Sequence, residues 1–198
     1  MARRLAALVV LFLALPASAV AATVHVRVEG KTRTLFAPTE VTVQAATALD
    51  ALEQASLLGE LYYHVTTTGF GPYVDQIGRY PASASSGWVF KVDNVSPPVG
   101  ADKVTLKDAD DVLWYYADFS PAGGPPTLVL KPAAAGCYAV QAYDDAGQPT
   151  TAVTNLVLHV GSKRTVPATL NGNVCPGAHK GLLVRATADG AIRSNALA

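Results

Sequence analysis

The chain has 198 residues, half of them hydrophobic, with 15 basic against 15 acidic side chains. Such a balance leaves no basic stripe to neutralise phosphates, so nucleic acid is excluded as an expected partner. The length allows one or two modest cores.

Arg3 and Arg4 precede an apolar run from Leu5 to Leu15, then Pro16 and Ala17-Ser18-Ala19. A positive start, a short apolar stretch and small residues at a cleavage position are the features of a secretory signal peptide, expected over 1–22. The run is too short for a bilayer span, and no later stretch approaches the roughly 20 apolar residues a span needs. Cleavage is expected near Ala19 or Ala22. Removing the two arginines leaves 13 basic against 15 acidic side chains. In an oxidising compartment, Cys137 and Cys175 are most simply a disulfide.

After the leader, Val24, Val26 and Val28 alternate with His25, Arg27 and Glu29, the period of a half-buried strand. Gly30-Lys31 is a turn, and a second strand is predicted to end at Val41-Thr42-Val43. Thr47 and Asp50 then form a capping-box-like start to the one clear helix signal, with Leu49, Leu52 and Ala55 on one face and Gly59 as the C′ residue. Tyr62 to Thr66 is β-prone. Residues 67–87 are rich in Gly, Ser and Pro and predict a long irregular connection. Trp88, Phe90 and Val92 alternate on one strand, and Val112, Trp114 and Tyr116 on another.

Ser120-Pro121-Ala122-Gly123-Gly124-Pro125-Pro126 is a turn-rich linker. Of the 15 aromatic residues, 11 lie between Tyr62 and Phe119, whereas both cysteines follow the linker. This contrast predicts two domains: 23–119 with an aromatic core, and 127–198 stapled by the disulfide, joined by 120–126. The fold class expected is α+β followed by all-β. The first domain is β-grasp-like, with one helix on a mixed sheet. The second is a small sandwich, immunoglobulin-like or transthyretin-like, with strands at 127–130, 137–143, 155–160, 164–170 and 181–186.

Gly87 to Asn94 and the later run Asp108 to Tyr116 carry a resemblance, supported by Ala48 to Leu52, Gly69 to Val74 and Gly100-Ala101. On these residues the first domain resembles the C-terminal β-domain of transcobalamin and intrinsic factor, which many uncharacterised secreted bacterial proteins share. Asn94 and Ala109 stand where that family usually has Gly. The resemblance implies a ligand-binding module with cobalamin as its candidate cofactor. The large helical domain that completes the cobalamin site in the transport proteins is not expected here, because the two β-rich portions use up the chain.

The residues themselves point to little chemistry. The four histidines are far apart without ligand spacing, so no metal site is expected. Asp108, Asp110 and Asp111 lack the remaining ligands of a calcium loop and are read as a solvated turn. No Gly-x-Ser-x-Gly elbow accompanies the serines of 82–87, so the chain is not expected to be an enzyme. The aromatic residues are the binding candidates: Trp88, Phe90, Trp114 and Tyr73 are the predicted ligand surface, with core packing the competing role for the two tryptophans. Three functions therefore stand open: a secreted ligand-binding or cell-surface interaction protein, a corrinoid-binding or uptake accessory, and a structural spacer of an envelope assembly. The expected partner is an extracytoplasmic ligand or protein.

Overall fold

The computed structural model describes residues 21–198; all but the last two residues of the expected signal peptide lie outside the described residues. Those described are mostly β, with one α-helix, several small sheets and one disulfide.

The first sheet has four strands in the order β2-β1-β7-β6, where β1 is Ala22–Glu29, β2 Val41–Ala45, β6 Ser86–Val92 and β7 Asp111–Asp118. Strands β1 and β7 run parallel; the two flanking pairs are antiparallel. The register sets Val26 beside Val112, Val28 beside Trp114, and Phe90 opposite Trp114. Side chains alternate across a strand, so one face carries Val24, Val26, Val28, Trp88, Phe90 and Trp114. The other carries Arg27, Glu29, Lys91, Leu113 and Tyr115.

Helix α1 (Ala48–Gly59) covers the valine face through Ala48, Ala51, Leu52 and Ala55, all fully buried. Its start is as predicted: Thr47 Oγ1 accepts from Asp50 N at 3.1 Å. The Asp50 carboxylate reaches back to Ala46 N at 2.7 Å, completing a reciprocal cap. Its end differs from expectation. Glu60, not Gly59, takes the left-handed conformation, with φ 50°. Gly59 is still needed as a glycine, because a β-carbon there would collide with the Phe36 ring. Ala109 also adopts a left-handed conformation, φ 69°, beside the Asp-rich turn, as Asn94 does at φ 68°.

The connection expected over 67–87 is ordered as strands. A hairpin of β3 (Tyr63–Thr68) and β4 (Gly71–Ile77), with the short β5 (Tyr80–Pro81), forms a three-stranded sheet. Thr66, Thr67, Thr68, Tyr63 and Tyr73 supply β propensity, while Gly69 and Gly71 at the tip resemble loop composition. Gly71 has φ 111°, which only glycine adopts readily.

The C-terminal portion holds two further sheets around a second hydrophobic cluster. One has the order β12-β9-β8: β8 is Thr127–Pro132, β9 Tyr138–Tyr143 and β12 Asn173–Val174. The other has the order β11-β10-β13-β14: β10 is Thr154–Val160, β11 Arg164–Pro167, β13 Val184–Asp189 and β14 Ala196–Leu197. Leu128, Leu130, Val140, Leu158, Val184 and Ala186 are the centre of this cluster. Cys137 and Cys175 are bonded, tying the start of β9 to the segment after β12. The last major strand begins at Val184 rather than Gly181 because Gly181, with φ 73°, belongs to the preceding turn.

The outer face of the first sheet meets the C-terminal portion. Leu113, Tyr115, Ala117 and Ile192 form a small apolar cluster between the two larger ones. Beside it, Glu29 is 2% exposed and gathers three arginines. Arg193 Nε stands 2.8 Å from its carboxylate, Arg27 Nη1 3.4 Å and Arg185 Nη1 3.6 Å. From Val26 on, β1 is therefore buried on both faces: Arg27 and Glu29 of the polar row belong to an internal ion network, while Thr23 is exposed and His25 half-buried.

Candidate functional site

Among the described residues strand β6 pairs with β7 alone, so its other edge carries no strand there. Along this edge lies an open cleft of about 390 Å³. All four predicted site residues line it: Tyr73 from β4, Trp88 and Phe90 from β6, and Trp114 from β7. The volume falls in the range of small-molecule sites, about 300–1,000 Å³.

The four residues divide into two kinds. Trp88 is 1% exposed and Trp114 2%, so both are core side chains that present one edge to the cleft. Their indole N–H groups are satisfied inside the protein: Trp88 Nε1 donates to Tyr80 O at 2.8 Å, and Trp114 Nε1 to Ala48 O at 3.3 Å. Phe90 and Tyr73 are half-buried and face the opening. Phe90 stacks on Trp114 with ring centroids 5.2 Å apart and an interplanar angle of 28°. Trp88 meets Tyr116 edge-on at 5.4 Å, and the Tyr116 hydroxyl donates to Pro81 O at 3.0 Å. The aromatic set is thus fixed by packing and hydrogen bonds before any ligand arrives, which lowers the ordering cost of binding.

The rest of the lining comes from segments that carried no binding signal in the sequence. Pro97 and Ala101 lie in the turn-rich stretch after β6, and Leu49 opens α1. Backbone bonds from Leu49 N to Ala101 O and from Ala48 N to Val104 O hold that stretch against the helix. Phe119, just after β7, lines the cleft at 48% exposure. Proline and glycine content marked the loop, but nothing local marked it as a wall.

The far end of the cleft is polar and belongs partly to the C-terminal portion. Asp145 accepts from Lys91 Nζ at 2.9 Å, from Ser96 Oγ at 3.2 Å and from Gly124 N. Burial acts against its charge, yet the Lys91 ammonium and the Gly124 N–H hold the Asp145 carboxyl below its usual range. Lys91 is fully buried, and that burial lowers its pKa despite Asp145. It also contacts Thr127 Oγ1 at 3.0 Å and Pro125 O at 3.2 Å. Burial pushes the Tyr115 hydroxyl up to about 12, with the Asp145 charge adding to the effect. Burial likewise raises the Tyr73 pKa. Asp145, in the turn after β9, thus anchors the linker through Gly124 and Lys91.

The other sequence candidates are placed singly. His25 meets Thr42, His159 meets Thr187, and His179 meets Tyr138. His64 and Asp75 do pair, at 2.6 Å, across the exposed β3–β4 hairpin, a partnership the sequence spacing did not suggest. Asp108 and Asp110 accept the backbone N–H groups of Thr23 and Lys107, as turn-capping residues do. Among the described residues, no group of three or more His, Cys, Asp or Glu gathers as a metal-holding set.

Residues 45–118, which include α1 and strands β3 to β7, match the family model described as "Domain of unknown function (DUF4430)". No curated protein matches the chain. Among solved structures, the chain is similar to one described as a putative metal binding protein from Ruminococcus gnavus ATCC 29149. That similarity is 14% identity over 50% of this chain and 99% of the other, with a TM-score of 0.39.

Proposed function

We propose that this is an extracytoplasmic, non-catalytic binding protein whose ligand lies in the cleft at the open edge of β6. The observation that carries the reading is the cleft itself: an open, mostly apolar recess in which Phe90 and Tyr73 are presented on a rigid floor of Trp88 and Trp114. An isolated apolar recess of this size, rimmed by polar groups, is what recognition of a small or extended ligand requires. A pure spacer has no use for it.

The export part of the reading rests on the Arg3-Arg4 leader and on the Cys137–Cys175 disulfide, a bond that persists in oxidising compartments. Cleavage after Ala19 fits better than cleavage after Ala22, because Ala22 is buried and pairs with Ala45. We take the two large hydrophobic clusters as two domains, the first β-grasp-like and akin to the transcobalamin β-domain, the second a sandwich. In this reading, Lys91–Asp145 and the Glu29 arginine cluster lock them together, so that the cleft draws residues from both.

Within this function a corrinoid is the ligand that the transcobalamin-like resemblance favours. The cleft would hold one edge of the macrocycle against Phe90, leaving the rest for a partner. The test is a titration of the mature chain from Val20 with cobalamin and related corrinoids, followed by tryptophan fluorescence and corrin absorbance, alongside the apolar dye bis-ANS. Saturable quenching by either ligand supports the cleft as a site, and micromolar corrinoid binding identifies its chemistry. No saturable binding of any probe up to millimolar concentration would overturn the proposal.

A further inference from the structure

The floor of the cleft is backbone as well as aromatic side chain. The bonds Phe119 N to Ser85 O and Asp93 N to Asp111 O bracket the β6–β7 ladder and set its phase. Bonded positions alternate along an antiparallel pair, so Gly87, Val89 and Lys91 turn their N–H and C=O toward β7. Ser86, Trp88, Phe90 and Val92 turn theirs toward the cleft side. The ends of this outer row are closed. Ser86 is held by Ser83, and Val92 exchanges both of its bonds with Val95. The Tyr73 hydroxyl lies against this stretch, beside Gly87 and the Trp88 N–H. Among the described residues, the C=O of Trp88 and both the N–H and the C=O of Phe90 have no hydrogen-bond partner, and they form one contiguous set.

Exposed strand edges are ordinarily blunted by a lysine, a proline or a bulge. This one has none at Trp88-Val89-Phe90, and it lies in a recess. Across the recess stands a second bare edge. Strand β4 pairs with β3 along its length, but β5 covers its other side only at Gln76 and Ile77. On that other side, among the described residues, the stretch Pro72–Val74 has no strand neighbour, and the Tyr73 side chain rather than a ladder reaches across to β6 at Gly87. At one rim, the exposed carboxylate of Asp118 forms no ion pair among the described residues.

From this placement we infer that the natural occupant of the cleft is a short extended peptide that adds a strand to β6 at Phe90. Apolar side chains of the peptide lie against Phe90 and Tyr73, and a basic group meets Asp118. This deepens the proposed function and rests on it. Main-chain pairing supplies the affinity, and the alternate side chains supply the selectivity. A corrinoid or other apolar molecule fills the same apolar space but leaves the Phe90 N–H and C=O without partners. Their desolvation favours a ligand that carries its own alternating donors and acceptors.

The test uses the mature wild-type chain and pools of synthetic hexapeptides with an N-terminal lysine followed by alternating valine, leucine or phenylalanine and threonine. The strongest binder is then remade with single N-methyl groups at successive positions, which remove one donor each without touching a side chain. The expected result is a two-residue alternation: methylation at one parity weakens binding about tenfold or more, and at the other parity changes it little. In parallel, amide hydrogen exchange at Phe90 slows at least tenfold on binding. Equal losses at every N-methyl position, or an unchanged Phe90 amide, would overturn the strand pairing. If no pool binds below millimolar while bis-ANS or cobalamin still saturates the cleft, the peptide inference fails and the binding function stands. If neither class binds, both fail. A stable dimer by light scattering that excludes the peptide would overturn it in favour of edge pairing between two copies.

Discussion

Lys91 Nζ lies 2.9 Å from Asp145 Oδ1, across the boundary between the first sheet and the C-terminal portion, and the lysine is fully buried. A buried ammonium is tolerated only when it is paired and hydrogen-bonded. Thr127 Oγ1 and Pro125 O take its other protons, so the pair also pins the linker. Removing the carboxylate leaves the charge buried and alone. Asp145→Asn is expected to cost about 2–3 kcal/mol, below the value for a wholly buried pair because Asp145 is one-third exposed. Lys91→Met combined with Asp145→Asn should recover most of that loss. Urea melts of the single and double variants check this; equal destabilisation by both would contradict it.

Tyr115 sits under the same pair, and its hydroxyl is raised from 10.0 to about 12. A group with a raised folded-state pKa contributes stability that is complete below its unfolded value and is lost as pH climbs through the folded one. The contribution should therefore vanish between about pH 10 and 12, and is worth roughly 2–3 kcal/mol. Tyr115→Phe should flatten the alkaline limb of the stability curve relative to wild type. Ultraviolet titration at alkaline pH should show one late-ionising phenol that the variant lacks.

The Cys137–Cys175 bond closes a loop of sequence separation 38. Loop-closure entropy gives an upper figure of about 4 kcal/mol for such a crosslink. Reduction, or replacement of both cysteines by serine, should lower the unfolding free energy of the C-terminal portion by up to that figure, seen as a lower midpoint. Denaturant melts with and without reductant measure it. No change on reduction would mean that the crosslink constrains nothing the unfolded chain would otherwise explore.

Trp114 and Phe90 stack on each other but should respond differently to truncation. Trp114 is a core side chain, so Trp114→Ala should destabilise by about 3–5 kcal/mol. Phe90 is half-buried at the cleft mouth, so Phe90→Ala should cost about 1–2 kcal/mol while weakening ligand binding. Tyr73→Phe, which removes the hydroxyl that lies beside Gly87, should leave the fold nearly unchanged and alter affinity. Thermal melts and probe titrations of the three variants separate the roles; parallel losses of stability and binding in all three would contradict the division.

Much of the framework was legible because it is written in local periods. The Val24-Val26-Val28 alternation, the Thr47–Asp50 cap and the Gly-Trp strand each appear where expected. The β3–β4 hairpin was not, because Gly69, Gly71 and Pro72 look like loop composition while the register that orders them is tertiary. Glu60 in the left-handed C-cap defeats the rule that glycine ends helices, since Gly59 is reserved for the approach of Phe36. The four aromatic candidates all line the cleft, but sequence alternation showed only that Trp88 and Phe90 share a face. It did not show that β6 is an edge strand, which depends on strand order. The burial of Arg27 and Glu29 on the second face was equally hidden. Their partners, Arg185 and Arg193, come from the far end of the chain.

The most direct test of the cleft as the binding site is an amide chemical-shift map of the mature protein saturated with bis-ANS. A second exposed apolar group, Leu57, Leu58 and Tyr62 at the end of α1, serves as the internal control. The largest shifts should fall at Tyr73–Val74, Trp88–Phe90 and Ser96–Ala101, with the helix end unmoved. Shifts concentrated at Leu57, Leu58 and Tyr62, with Phe90 silent, would contradict it.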